Sequence, residues 1–416
     1  MESMGCIVRQ KERPRGRFGL EKESLRITSA GRFAQTDDPF VGFDHVTRDF
    51  CENQTEINTG VHDSAEGAVA ELVARHRRLQ TVLASQPERE LLWPFSNPPF
   101  IADEDDIPIA RYGGEQAAKR AYREHLSDRY GRHLMTFSGV HVNYSFAPET
   151  IRGDRDQFYL DLAEQVLAFG WVLTPLFAAS PLLDESYCIS GHHMGETMFT
   201  GLASIRCSEL GYWNQFTPVL DYGTLAGYVG SIRAFVDRGF IAAPSEFYYP
   251  VRLKPRGRNS LEALAETGVD HIEIRTVDLN PFFEGGIDVR DVRFIELFLG
   301  WCASLPKAGL SVAEQLQAVQ NYKRAAHYDI SRARVALPGA RATTVQEAGL
   351  SVLDRIRDHY ADAGRDVLEL VDFERRKYTD AATRPAVQVF HRFSPHFATS
   401  GLGWARHMQE DSIRHV

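Results

Sequence analysis

Apolar and polar positions along the chain follow two different spacings. From residue 18 to about 146, short runs alternate at period two, the spacing that puts every second side chain on one face of a strand. One interruption has helical spacing: over 66–85, Val69, Leu72, Val73, Leu79 and Val82 recur on one side. Residues 156–180 predict another helix, 248–253 and 271–277 predict strands, and most of the chain after about 290 reads helical. The class is therefore α+β, with strands in the first two thirds and helices over the last third. No repeat or low-complexity linker divides the chain, and three regions are expected: a flexible basic tail at 1–17, a core at 18–302, and a mainly helical part at 303–416 packed on that core.

Several of these strands turn charge toward one face. In GLEKESLRI (19–27), Glu21 and Glu23 share a face with Leu25 and Ile27, and Lys22, Ser24 and Arg26 share the other. In 140–146, His141, Asn143 and Ser145 oppose Val140, Val142, Tyr144 and Phe146, and in 272–275 Glu273 and Arg275 point together. The stretch 49–56 adds Asp49, Glu52 and Glu56, whose facing depends on whether it is helix or strand, and the pattern leaves that open. Separately, each pattern also describes a solvated edge strand or an internal salt bridge. Jointly, Glu21, Glu23, Asp49, Glu56, His141 and Glu273 form an oxygen-rich set with one imidazole, suited to Mg²⁺ or Mn²⁺ rather than zinc.

Composition narrows the chemistry. The 416 residues are 43% hydrophobic and 25% charged, which is ordinary for a globular chain, and the net charge of -9 gives no basic footprint for nucleic acid. Cys6, Cys51, Cys188, Cys207 and Cys302 show no CxxC spacing, which excludes a zinc ribbon and suits reduced thiols in a cytoplasm. Cys51 and Cys207 have no adjacent base, so no thiol nucleophile is expected. The N-terminus is too charged for a signal peptide, and no uncharged apolar run approaches the roughly 18 residues of a membrane span. Neither GxxxxGK(S/T) nor a GxGxxG after a strand occurs, so a nucleotide would be held through metals and arginine. GHHMGE (191–196), with His192, His193 and Glu196, reads as a surface loop suited to a lid; 103–106 reads as a solvated acidic turn, and 13–17 as disordered.

Eight blocks in order carry a resemblance: GLEKESLRI (19–27), RDFCENQTEINT (48–59), LLWPFSNPPFIADEDDIPIARYG (91–113), YREHLSDRYG (122–131), TFSGVHVNYSF (136–146), SIRCSELGY (204–212), FYYPVRLKP (247–255) and HIEIRTVDLNPF (271–282). Together they resemble the glutamate-cysteine ligase family of the bacterial type. The resemblance implies a glutamine synthetase-like catalytic fold, a curled and mostly antiparallel sheet forming a funnel with helices outside. It further implies ATP as co-substrate, Mg²⁺ (or Mn²⁺), and joining of the γ-carboxylate of L-glutamate to an amino acid through a γ-glutamyl phosphate. By match, Glu21, Glu23, Asp49, Glu56, His141 and Glu273 would be metal ligands, and Arg275 would act with Glu273 on the transferred phosphoryl group. Arg123 and Asn143 would lie near nucleotide or glutamate, and Phe50, Tyr122, Leu126, Met135, Arg206, Tyr212 and Tyr248 would form the acceptor pocket, Arg206 pairing its α-carboxylate.

The chain departs from that pattern in lacking most of the usual N-terminal helix, in Met135, where glutamine is usual, and in Val142, where tyrosine is usual. A thioether cannot replace the hydrogen bonds of an amide, which makes the pocket more apolar. Cysteine is the family's acceptor; the alternative is a thiol-free apolar amino acid of alkyl- or alkynylglycine type. A metal-dependent hydrolase and a non-catalytic binding protein remain as readings from other classes.

Overall fold

The computed structural model describes residues 12–187 and 191–415. Its strands, in chain order, are β1 (Gly16–Ile27), β2 (Val46–Arg48), β3 (Gln54–Asn58), β4 (Leu91–Leu92), β5 (Gly139–Phe146), β6 (Leu182–Asp184), β7 (His192–Met194), β8 (Thr197–Phe199), β9 (Val251–Lys254) and β10 (His271–Asp278), followed by a short pair, β11 (Arg334–Val335) and β12 (Thr343–Thr344). The main sheet has seven strands in the order β2-β3-β1-β5-β10-β9, with β4 pairing the end of β1, and these pairings are antiparallel. Gly16 and Arg17 pair with Phe146 and Ser145, so they belong to the central strand and not to a disordered tail. Residues 1–11 of the expected tail lie outside the described residues.

One face of this sheet is the apolar core. Phe18 and Leu20 of β1, Val140, Val142, Tyr144 and Phe146 of β5, and Ile272 and Ile274 of β10 all enter it. Against them pack α1 (Ala65–Ser85), then, beyond α2 (Ala117–Tyr130), the pair α3 (Arg155–Phe169) and α4 (Leu173–Phe177). Ser64 starts α1 by accepting a hydrogen bond from the Gly67 amide, one residue before the expected start. The run 155–177 is long and apolar enough to cross a membrane, but 89% of its most apolar window is buried inside the fold.

The remaining helices are α5 (Leu225–Asp237), α6 (Leu261–Thr267), α7 (Val289–Ser304), α8 (Val312–Ala325), α9 (Val345–His359), α10 (Arg365–Thr379), α11 (Pro385–Phe393) and α12 (Phe397–Arg414). Residues of α8, α9 and α10 join the same core, and α12 lies along α1, where Gln409 donates to Gln80. The strand expected over 248–253 is shorter, beginning at Val251. Pro250 has no N–H to give a ladder, and the Tyr248 amide donates to the Asn214 side chain instead. GHHMGE is not a loop: His192–Met194 and Thr197–Phe199 form a tight hairpin that pairs with β6, turning at Gly195 with φ of 65°. The side chains of His192 and His193 lie outside the described residues.

Two buried acids in this frame make contrasting predictions. Glu90 Oε2 lies 2.6 Å from Arg26 Nη1 with neither side chain reaching solvent, and Arg26 also donates to the Glu52 carbonyl. Glu90→Gln leaves that guanidinium buried and uncompensated, so denaturant unfolding should show a loss of about 3–5 kcal/mol, and a loss below about 1 kcal/mol would refute the pairing's structural role. Glu296 accepts from the Tyr144 hydroxyl at 3.3 Å and lies 4.0 Å from Arg13, and burial raises it to about 7. With its folded value above the ordinary 4.5, its stabilising contribution is full below pH 4.5 and lost as pH rises through about 7. Glu296→Gln should therefore flatten that part of the stability profile, and an unchanged pH slope between those values would contradict it.

Candidate active site

The strand face opposite the core carries the charge. Register sets the neighbours: Glu23 stands opposite Glu56 across β1 and β3, Glu21 opposite His141 across β1 and β5, and Glu273 between Asn143 and Arg252. Because the other face of the same strands is fixed in the core, these side chains have only one direction to point. Glu21, Glu23, Glu56, His141, Arg252 and Glu273 line a cavity of about 540 Å³ together with Asp49, Phe50, Arg123, Arg206 and Arg275. The open question of 49–56 resolves into a turn: Asp49 follows β2, the chain reverses, and Glu56 sits on β3. Glu52, the third acid there, points away to bind Arg48 at 2.9 Å and the Arg111 amide at 2.6 Å.

Two sides of the cavity differ in charge balance. Glu273 lies 3.0 Å from Lys254 and 2.9 Å from Arg275; burial raises its pKa, but Arg275 and Lys254 outweigh that and hold it well below the usual carboxylate range. Burial also acts on Glu21, where the hydrogen bond from His141 at 3.2 Å leads the opposing effects and leaves it lowered; Asn143 donates to it at 3.0 Å. Glu23 and Glu56 make no direct ion pair to lysine or arginine among the described residues; Glu56 accepts from Asn58 at 2.8 Å, and His141 Nε2 stands 3.8 Å from Glu23. Burial and Asp49 push Glu23 well up, although the Gly139 amide donates to it at 3.0 Å, and burial with Glu21 and Asp49 raises Glu56 to about 7. Crowded carboxylates without a direct ion pair to lysine or arginine fit a divalent ion. Among the described residues, Glu21, His141 and Glu273 offer donor atoms within 4.8 Å of one another.

His141 joins this cluster to its neighbour. Its Nε2 lies 3.2 Å from Arg206 Nη2, and since a guanidinium only donates, Nε2 accepts and Nδ1–H faces Glu21. Burial, with Arg275, lowers His141 to about 4.

The other end of the cavity is aromatic. Tyr212 and Tyr248 lie with ring centres 4.1 Å apart and planes tilted by 39°, and Phe50, Leu126, Met135 and Tyr248 are buried in a second apolar cluster, with Tyr122 against it. That cluster also contains Leu25 and Ile27, so the face of β1 that carries Glu21 and Glu23 runs on into the apolar wall. Arg123 donates to the carbonyls of Asp49 and Arg48 and so ties α2 to the β2–β3 turn. Asn143 touches Glu21 without lining the cavity. Val142, one of the two side chains that depart from the family pattern, is fully buried in the main core on the opposite face of β5, whereas Met135 lies in the second apolar cluster. Arg252 and Lys254 were missed by the sequence reading, although their period-two spacing on β9 is the same signal that marked Glu21 and Glu23.

Residues 8–240 and 236–325 match the family model for glutamate-cysteine ligase. The chain belongs to the glutamate-cysteine ligase family. A bifunctional glutathione biosynthesis protein of Listeria monocytogenes serotype 4b is 33% identical over 367 residues, which cover 82% of this chain and 47% of that protein. The chain thus spans about half the length of the curated relatives of this kind. The glutamate–cysteine ligase of Edwardsiella ictaluri is 31% identical, with 74% of this chain and 69% of the relative covered. The glutamate–cysteine ligase of Francisella tularensis, solved in complex with AMP, superposes with a TM-score of 0.89 at 23% identity, covering 97% and 90% of the two chains, and shares the fold.

For this member of the glutamate-cysteine ligase family, thiol chemistry finds no support among the described residues. Cys51, Cys207 and Cys302 are free and buried, and burial raises each thiol. Cys6 and Cys188 lie outside the described residues. Iodoacetamide should leave Cys51, Cys207 and Cys302 unmodified in the native protein and label them after denaturation, as read by peptide mass mapping. Rapid native labelling of Cys51 or Cys207 would contradict this arrangement.

Proposed function

We propose that the chain is an ATP-dependent carboxylate–amine ligase joining the γ-carboxylate of L-glutamate to the amine of cysteine. The observation that carries the reading is the shared cavity: four strands present Glu21, Glu23, Glu56, His141 and Glu273 on one face, and Arg275 stands among them. Glu21, His141 and Glu273, with Glu23, Asp49 and Glu56 beside them, would hold Mg²⁺ or Mn²⁺, whose chemistry there is neutralisation of phosphate charge. On this reading the sheet curls into the funnel of glutamine synthetase-like enzymes, with ATP entering at the carboxylate end.

The reaction follows from what each end can bind. A γ-carboxylate oxygen of glutamate attacks the γ-phosphorus of ATP, the bond to ADP breaks, and an acyl phosphate forms. Arg275 donates to the phosphoryl oxygens as their charge redistributes, and Glu273, 2.9 Å away, fixes its orientation. The acceptor's amine then attacks the acyl carbon and phosphate leaves. Arg206 pairs the acceptor's α-carboxylate, and the aromatic end excludes water that would hydrolyse the acyl phosphate. Met135, buried in that wall, favours a second reading with the same chemistry, in which the acceptor is a short apolar amino acid. The unpaired buried thiols support a reducing, cytoplasmic setting.

Incubation with ATP, Mg²⁺, L-glutamate and cysteine should yield a γ-glutamyl dipeptide by mass spectrometry, with phosphate and ADP in equal amounts. A panel of thiol-free amino acids separates the two acceptors, and no ATP-dependent product with any of them would refute the ligase. Glu21→Gln and Glu273→Gln should each lower turnover by orders of magnitude; Glu21→Gln should keep the melting temperature near parental, whereas Glu273→Gln should lower it, since Lys254 and Arg275 lose a buried partner. Arg275→Ala should lower kcat more than it raises KM for ATP, and a pure KM effect would place it in ground-state binding.

A further inference from the structure

Arg206 is not carried by the main sheet, yet it reaches into the site from the segment after β8, and its aim needs an explanation. The β10 ladder slips between Ile274 and Val277, so Arg275 and Thr276 bulge and their carbonyls face away from β5. Arg206 Nη1 donates to the freed Arg275 carbonyl at 2.7 Å, and the next residue, Cys207, lies with Sγ 3.7 Å from the Thr276 carbonyl.

Where the ladder resumes, Asp278 stands opposite Gly139. The buried Asp278 carboxylate accepts three hydrogen bonds: from Ser204 Oγ at 3.0 Å, Ser180 Oγ at 2.6 Å and the Ala179 amide at 2.9 Å. Ser204 Oγ in turn accepts from the Cys207 amide at 3.2 Å, which closes a clasp around Arg206. Gly139 supplies the gap on the other side. A Cβ there would fall 2.5 Å from Arg206 Cζ, whereas its amide is already committed to Glu23.

We infer that Asp278 is a positioning residue for Arg206, acting through Ser204 and the β10 bulge, and that Gly139 is the opening through which the guanidinium reaches the acceptor. Neither residue touches substrate; both set where one cation stands. The inference rests on the reading of Arg206 as the partner of the acceptor's α-carboxylate. Aspartate is required because all three neighbours donate: asparagine keeps one accepting oxygen and turns an NH₂ toward a donor.

The test is a kinetic cycle on the full chain. Asp278→Asn should raise KM for cysteine about tenfold, with kcat and KM for glutamate within about twofold of the parent. Cysteamine, which keeps the amine and thiol but has no carboxylate, should be used equally well by parent and variant. In an Arg206→Ala background, Asp278→Asn should add less than about twofold, because its effect runs through the arginine. The inference is overturned if the variant adds its full effect in that background, or if it slows cysteamine as much as cysteine. Should Asp278→Asn fail to fold, Gly139→Ala carries the same test, since the added methyl meets only the movable end of a side chain and the backbone amide to Glu23 is kept; an unchanged cysteine KM in it would then overturn the inference. If Arg206→Ala leaves the cysteine KM unchanged while Asp278→Asn or Gly139→Ala raises it, the acceptor assignment of Arg206 fails first, and this inference with it.

Discussion

Four carboxylates, Glu21, Glu23, Glu56 and Glu273, share one face of neighbouring strands, and the rest of the molecule answers to that crowding. Like charges held this close in a buried setting separate unless something fixes the backbone beneath them. The fixing comes from the other face, where Leu20, Val142, Tyr144, Ile272 and Ile274 sink into one core under α1, α3 and α7. Slipping any of these strands by one residue would move the carboxylates into that core, so the apolar face locks the register that the charged face needs.

The cations of the chain are spread unevenly along this face. Lys254 and Arg275 contact Glu273 directly, whereas Glu23 and Glu56 are raised by burial and by the neighbouring Asp49. The unevenness gives the cavity a direction. Its ionic end is built by rigid strands, and its aromatic end by α2, the 3₁₀ turn around Met135 and the segment holding Arg206. His141 stands at the seam, bonded to Glu21 on one side and to Arg206 on the other.

Most of the ionic end was legible in the sequence because period two is a local property: knowing that Val140 and Val142 are apolar is enough to place His141 on the far face. The same rule located Glu273 and Arg275, and would have located Arg252 and Lys254. It failed at 49–56, where a turn interrupts the alternation and only pairing with β1 shows which way Glu56 points. Val142, the second departure from the family pattern, lies on the core side of its strand, as the same alternation requires. The bulge at Arg275 and Thr276 was not legible, since a register slip depends on the partner strand, and with it went the role of Asp278. The helices after residue 290 were readable as helices, but not the docking of α12 on α1, which depends on contacts such as Gln409 with Gln80, far apart in sequence.

The claim on which the account stands is that this crowded carboxylate face binds divalent cations. Mn²⁺ titration of the purified protein without ATP, following the electron paramagnetic resonance signal of the free ion, tests this without reference to catalysis. The account predicts saturable Mn²⁺ uptake by the parent, competed by Mg²⁺ and strongly weakened by Glu21→Gln, at unchanged secondary structure. Absence of uptake by the parent, or full uptake by the folded variant, would contradict it.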